Sequence, residues 1–131
     1  MGDRCHVSLT CRQTDFDKEL KYHFHEDEKG VGWIKCDEDE ANYAYCNELE
    51  EWQGKGIPFY GRHDSGGNYG AGLFACDGKE LAECSSDDYG CPVCSINDDG
   101  SVKQVDLDNV HEYQRVLKEA KRLVGPHVTG G

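Results

Sequence analysis

Aliphatic residues are scarce in this chain. Leucine, isoleucine, valine and phenylalanine together make up 24 of 131 residues, and there are only 3 prolines and 1 methionine. Positive charge is short too: 14 Lys and Arg stand against 26 Asp and Glu, a formal net charge of −12. Each shortage excludes something. No run approaches the ~20 apolar residues of a membrane-spanning helix, and the opening MGDRCHVSLT has no apolar signal core. His6 stands where a myristoylation signal after Gly2 requires Ser or Thr. Direct binding of DNA or RNA is disfavoured, because affinity there comes from Lys and Arg neutralising phosphates. Few aliphatics with high net charge border on the composition of disordered chains.

What is present restores the folded reading. Seven Tyr and 2 Trp supply large buryable area, and 8 Cys behave as small hydrophobes when buried. The length suits a single core. The expectation is one α+β domain over residues 1–125 with 126–131 as a flexible tail, placed in the cytoplasm with its thiols reduced.

Along the chain, Cys5, Val7, Leu9 and Cys11 alternate with polar residues, the pattern of a half-buried strand. Asp15 to Tyr22 fits a short helix carrying Phe16 and Leu20. Gly30 to Cys36 reads as extended, with Val31 and Trp33 sharing a face. An acidic helix is predicted from Asp37 to Gly54, capped by Asp37, with Ala41, Tyr45, Leu49 and Trp52 on its inner stripe. Gly54 to Gly78 holds 8 glycines among aromatics and reads as a packed loop. Asp77-Gly78 marks a hairpin between strands near Gly72–Cys76 and Glu80–Cys84. Further strands are expected at Pro92–Ile96 and Val102–Val105. A helix from Asp106 to Val124 follows from the stripe Leu107, Val110, Tyr113, Leu117, Ala120, Val124, with Gly125-Pro126 as its stop. The predicted architecture is an antiparallel sheet of four to six strands with two main helices on one face.

Several constellations bear on chemistry. Cys91-Pro92-Val93-Cys94 has knuckle spacing, and Cys76 with Cys84 are the candidates to complete a structural zinc site. Reduced, buried thiols are the competing reading. A redox role is disfavoured because turn residues, not a helix, follow Cys94. His23, His25 and Asp27 alternate as metal ligands on a strand would, though an exposed strand end accounts for them equally. Ser95 to Asp106 copies part of a calcium loop but lacks its first Asp and last Glu, so a turn is expected. His63-Asp64-Ser65 has triad residue types, yet neighbours in sequence do not converge and no GxSxG elbow exists. No catalytic residue is assigned, and no cofactor other than zinc comes into question.

Charge is concentrated between Glu26 and Glu51, where 10 carboxylates face only Lys29 and Lys35. Glu26, Asp27, Glu28, Glu40, Glu48 and Glu51 are therefore the candidate contacts for a basic protein surface. Tyr60, Arg62 and Tyr69 of the glycine-rich stretch are residue types favoured at binding hot spots, although Phe59 and Tyr60 equally fit as core. In size and charge along its whole length, and in no motif, the chain resembles the small acidic inhibitors of phages and mobile elements, the anti-CRISPR and anti-restriction proteins. That resemblance implies an acidic binding protein, one that mimics nucleic acid towards a nucleic-acid-binding enzyme. The alternatives are a structural zinc module built on the Cys91/Cys94 pair and, third, a small enzyme.

Overall fold

The computed structural model describes residues 4–67 and 69–125; the expected tail at 126–131 and the helix-stop role of Pro126 lie outside them. The fold is built on β1 (Arg4–Arg12), whose Cys5, Val7, Leu9 and Cys11 are all buried. Two longer-range partners flank it, β3 (Trp33–Asn42) on one side and β4 (Pro58–His63) on the other. With β2 (His25–Lys29), β5 (Gly72–Asp77) and β6 (Leu81–Ser85), they form one antiparallel six-stranded sheet in the order β2-β3-β1-β4-β5-β6. Helix α1 (Gln13–Lys18) and a single turn at Leu20–Tyr22 link β1 to β2. Helix α2 (Cys46–Gly54) precedes β4, and α3 (Gln104–Val124) closes the described chain.

The chain is thus a single α+β domain, but its two larger helices do not share a face. Alternation along β5 sorts the core: Phe74 and Cys76 pack with Leu49 and Trp52 of α2, whereas Leu73 and Ala75 pack with Tyr113, Val116 and Ala120 of α3. A central strand buried on both faces has no polar side, so β5 reads as a continuous apolar run. The two helices are needed one on each side.

Four more expectations are corrected. Residues 37–42 continue β3 and do not begin a helix: a nine-residue β1 requires a partner of matching length to pair its backbone groups. The inward positions of β3 are Ile34 and Cys36, while Val31 is 98% exposed in the preceding turn. Within the glycine-rich stretch the expected strand near Gly72–Cys76 is present as β5, but Pro58–His63, read as loop, is a further strand, β4. Finally, the segments expected as strands around Pro92 and Val102 form just the isolated bridges Ser86–Pro92 and Ile96–Val102. Their polar groups are met locally instead, with Asp87 accepting from the Tyr89 and Cys91 amides at 2.9 Å each.

The expected hairpin is present. Asp77 Oδ1 accepts from the amides of Lys79 (2.9 Å) and Glu80 (2.8 Å). Burial pushes its carboxyl up, but these donors outweigh it and hold the group below its usual range. In α3, Val110, Tyr113, Ala120 and Val124 are buried as the stripe predicts, and Val116 takes the central place expected of half-buried Leu117.

Candidate functional site

The predicted contact residues fall into three groups. Glu26, Asp27 and Glu28 lie on β2, the outermost strand, where every residue is exposed. Glu40 is on β3 beside them, 3.1 Å from Arg4. Asp37 and Asp39 of β3 hold His6 at 3.5 and 3.7 Å. Glu48 and Glu51 sit on α2, on the other side of a change in chain direction, so the single acidic helix face expected from sequence does not exist. What gathers instead is an acidic sheet edge: Glu26, Asp27, Glu28, Asp37, Glu38, Asp39 and Glu40 on two neighbouring strands. Lys29 and Lys35 oppose them, reaching Glu26 at 3.5 Å and Asp27 at 3.7 Å.

Tyr60 and Arg62 point to the α3 side, where they line a groove of about 520 Å³. The groove exists because α3 covers β4–β6 and leaves the same face of β1 and β3 open, with His6, Ser8, Lys35 and Asp37 as its floor. Tyr60 is half-buried there. Its hydroxyl donates to the Gly125 carbonyl at 2.5 Å, and Lys121 Nζ stands 5.7 Å from its ring centre. It pins the end of α3, so much of its contribution is structural, as is that of fully buried Phe59.

Tyr69 belongs to a second cavity, on the α2 side, of about 290 Å³. Tyr43, Ala44, Cys46, His63 and Glu83 line it with Tyr69. The Tyr69 ring meets His63 edge-on at 5.7 Å, and its hydroxyl donates to Cys5 Sγ at 3.4 Å. None of Tyr43, Cys46, His63 or Glu83 is marked by sequence as a partner of the others. They are spread over 41 positions and only the strand register joins them, setting His63 opposite Gly72 and Glu83 opposite Phe74.

The metal candidates are not brought together as a set of four. Cys76 packs into the α2-side core and Cys84 into the α3-side cluster, so one ion cannot take both with Cys91 and Cys94. His23 is turned into aromatic contacts with Tyr45 and Trp52, away from a shared face with His25. Among the described residues no three Cys, His, Asp or Glu side chains are grouped to hold a metal ion. In the Ser95–Asp106 turn, Asp106 is engaged by the Ser95 amide at 2.8 Å and Asp99 by Ser101. No described helix is long and apolar enough to cross a membrane.

The thiols divide sharply. Cys5, Cys11, Cys36 and Cys76 are buried, whereas Cys46 and Cys91 are exposed. The neighbouring Cys11 thiol and then burial push Cys36 far above its ordinary range, and burial raises Cys76 to about 11. Only a thiolate reacts readily. Iodoacetamide on the native protein at pH 8 should therefore label Cys46 and Cys91 first, and the four buried thiols only in denaturant. Peptide mass spectrometry reads this directly; early labelling of Cys36 would contradict the packing of β1 on β3.

Set against protein-family models, curated proteins and solved structures, the chain matches none of them.

Proposed function

We propose that this is a binding protein whose acidic sheet edge engages the basic surface of a protein partner, in the manner of a nucleic-acid mimic. The observation that carries the reading is the collection of seven carboxylates on β2 and β3 at the open end of the sheet. Placed on neighbouring strands, they present a fixed ribbon of negative charge. Opposite charge steers association and selects the partner. The outer side of β2 also leaves a row of backbone donors and acceptors unpaired by any described strand, so an extended basic segment can add to it as a further strand. The charges on β2 serve the free protein as well, since they discourage pairing between copies.

The test uses a short Arg/Lys-rich peptide as probe, titrated into the ¹⁵N-labelled protein. Amide shifts should centre on β2 and β3, and affinity should fall at least tenfold as salt rises from ~50 to ~500 mM, because screening shortens to a few ångströms. Combined Glu26→Lys and Glu28→Lys should abolish binding while the fold survives, both side chains being exposed. Binding indifferent to salt, or unchanged in the double variant, removes the reading.

A further inference from the structure

The α2-side cavity has properties that the acidic edge does not share. Tyr43, Ala44, Cys46, His63, Tyr69 and Glu83 line it, Glu83 being exposed, and no Lys or Arg is among them. His63 Nδ1 lies 2.9 Å from the Asp64 carbonyl. In the neutral ring Nδ1–H donates there, which leaves Nε2 as an acceptor. That nitrogen is held close to the backbone of β5: a side chain at Gly72 would start 2.6 Å from it. Among the described residues no hydrogen bond or salt bridge reaches the Glu83 carboxylate. The cavity thus offers acceptors and aromatic faces, and no cationic donor.

Its rim is strained. Tyr43, Ala44 and Tyr45 have φ of 52°, 54° and 59°, three successive left-handed residues of which none is glycine. Each costs roughly 1–2 kcal/mol relative to the right-handed form. The run is held by its surroundings: Tyr45 Oη donates to the His23 carbonyl at 2.8 Å, and the Tyr45 ring packs against Phe24 and Trp52. Strain of this kind collects at ligand sites, where the rest of the fold maintains it. Here it turns Tyr43 over the cavity and delivers Cys46 as the first residue of α2.

We infer that this cavity binds a single alkylammonium or guanidinium group. Such a group is donor-only, matching the acceptors of Glu83 and His63, and a cation seated on Tyr43 and Tyr69 gains from their ring faces. At about 290 Å³ the space suits a head group with a short alkyl stem, small against cavities that enclose whole drug-sized ligands. Glu50 adds negative potential close by, since it acts on Glu83. The chemistry is that of a lysine or arginine side chain, or of a free small amine. The inference does not rest on the acidic edge of β2 and β3.

The probes are n-butylammonium and N-acetyl-arginine methylamide, with the citrulline counterpart as the uncharged control, each followed by amide shifts at low salt. Saturable shifts at Ala44, Cys46, His63 and Glu83 are expected with both cations and none with citrulline. Glu83→Gln should weaken cation binding by about tenfold, whereas Glu26→Lys with Glu28→Lys leaves it unchanged. Tighter binding of the arginine derivative when embedded in a peptide assigns the site to a protein side chain; equal or weaker binding assigns it to a free amine. Equal shifts from citrulline, or cation binding untouched by Glu83→Gln, overturn the inference. The variant is a fair test because the fold does not need that charge. Desolvation raises the Glu83 carboxyl above its ordinary value, His63 opposes this and Glu50 adds to it. A raised acid binds its proton more tightly in the folded chain, so stability falls as pH rises through it. The neutral amide should hold or raise Tm at pH 7, and a lowered Tm would show that Glu83 serves the fold instead.

Discussion

Gly61→Ala should lose most of the protein's native stability. A Cβ at this position would lie 2.0 Å from the Ser8 carbonyl oxygen and 2.9 Å from Leu9 Cα, both backbone atoms of the adjoining central strand. The ring of Phe74 also lies across the site, 2.9 Å from the same point. Flexible side chains could yield, but the β1 backbone cannot move without disturbing its ladders to both β3 and β4. The cost is of the exceptional kind, about 4–5 kcal/mol or more, against a total of roughly 5–15 kcal/mol for a domain. Urea unfolding followed by tryptophan fluorescence measures it. Gly54→Ala is the control: the residue ends α2 with open space around it and should change stability by less than about 1 kcal/mol. If the two variants melt alike, β1 and β4 are not in the close contact described above.

Trp52→Ala should cost about 3–5 kcal/mol, the usual range for emptying a large aromatic site. Trp52 is 1% exposed and joins elements that have little else in common. Its ring lies 5.3 Å from His23, 5.7 Å from Phe24, 6.1 Å from Tyr45 and 6.2 Å from Phe59. These contacts bind α2 and the residues before β2 to the centre of the sheet, in a chain poor in aliphatics. The same truncation at Trp33, which is only half-buried, should cost clearly less. Thermal melts of the two variants compare them; equal losses would mean that Trp52 does not organise this cluster. Trp52→Ala should also release the Tyr43–Tyr45 turn, because Tyr45 leans on the indole.

Which parts of this fold can be read from the sequence depends on how local their causes are. β1 and α3 are legible because each has one buried face and hence a clean period. The β5–β6 hairpin is legible because Asp77-Gly78 is sufficient to turn the chain. β3 defeats the same reasoning. An Asp followed by three acidic residues is a helix start in isolation, and the decision against it comes from β1, some thirty residues earlier. β4 is hidden by its glycine, which interrupts the alternation of Phe59, Gly61 and His63 just where backbones come closest. The expectation of two helices on one face fails for a related reason, since nothing local says that β5 is buried on both sides.

The candidate sites follow the same rule. The acidic residues between Glu26 and Glu40 are legible as a group, although their support is a sheet edge and not a helix. Tyr69 is legible as a residue of interest within an odd stretch. Its companions are not, because His63, Glu83 and Cys46 are united only by strand register and by the left-handed turn. His63 belongs to no triad with Asp64 and Ser65, as expected from sequence: its Nδ1 donates to the Asp64 backbone carbonyl and its ring meets Tyr69 edge-on.

The half-open α3 side of the sheet has a consequence for how this chain can diverge. On the α2 side nearly every inward position is filled by Val7, Leu9, Ile34, Phe59 and their neighbours, and substitutions there carry the full cost of core packing. On the opposite side of β1 and β3, the floor positions His6, Ser8, Lys35 and Asp37 meet solvent, where exchanges usually stay within about 0.5 kcal/mol. The same two strands therefore carry one constrained row and, apart from buried Thr10, one largely solvent-facing row. These floor positions can be rewritten in descendants of this protein with little change in stability, whereas Tyr60, Leu73 and Tyr113, which also line the groove, cannot.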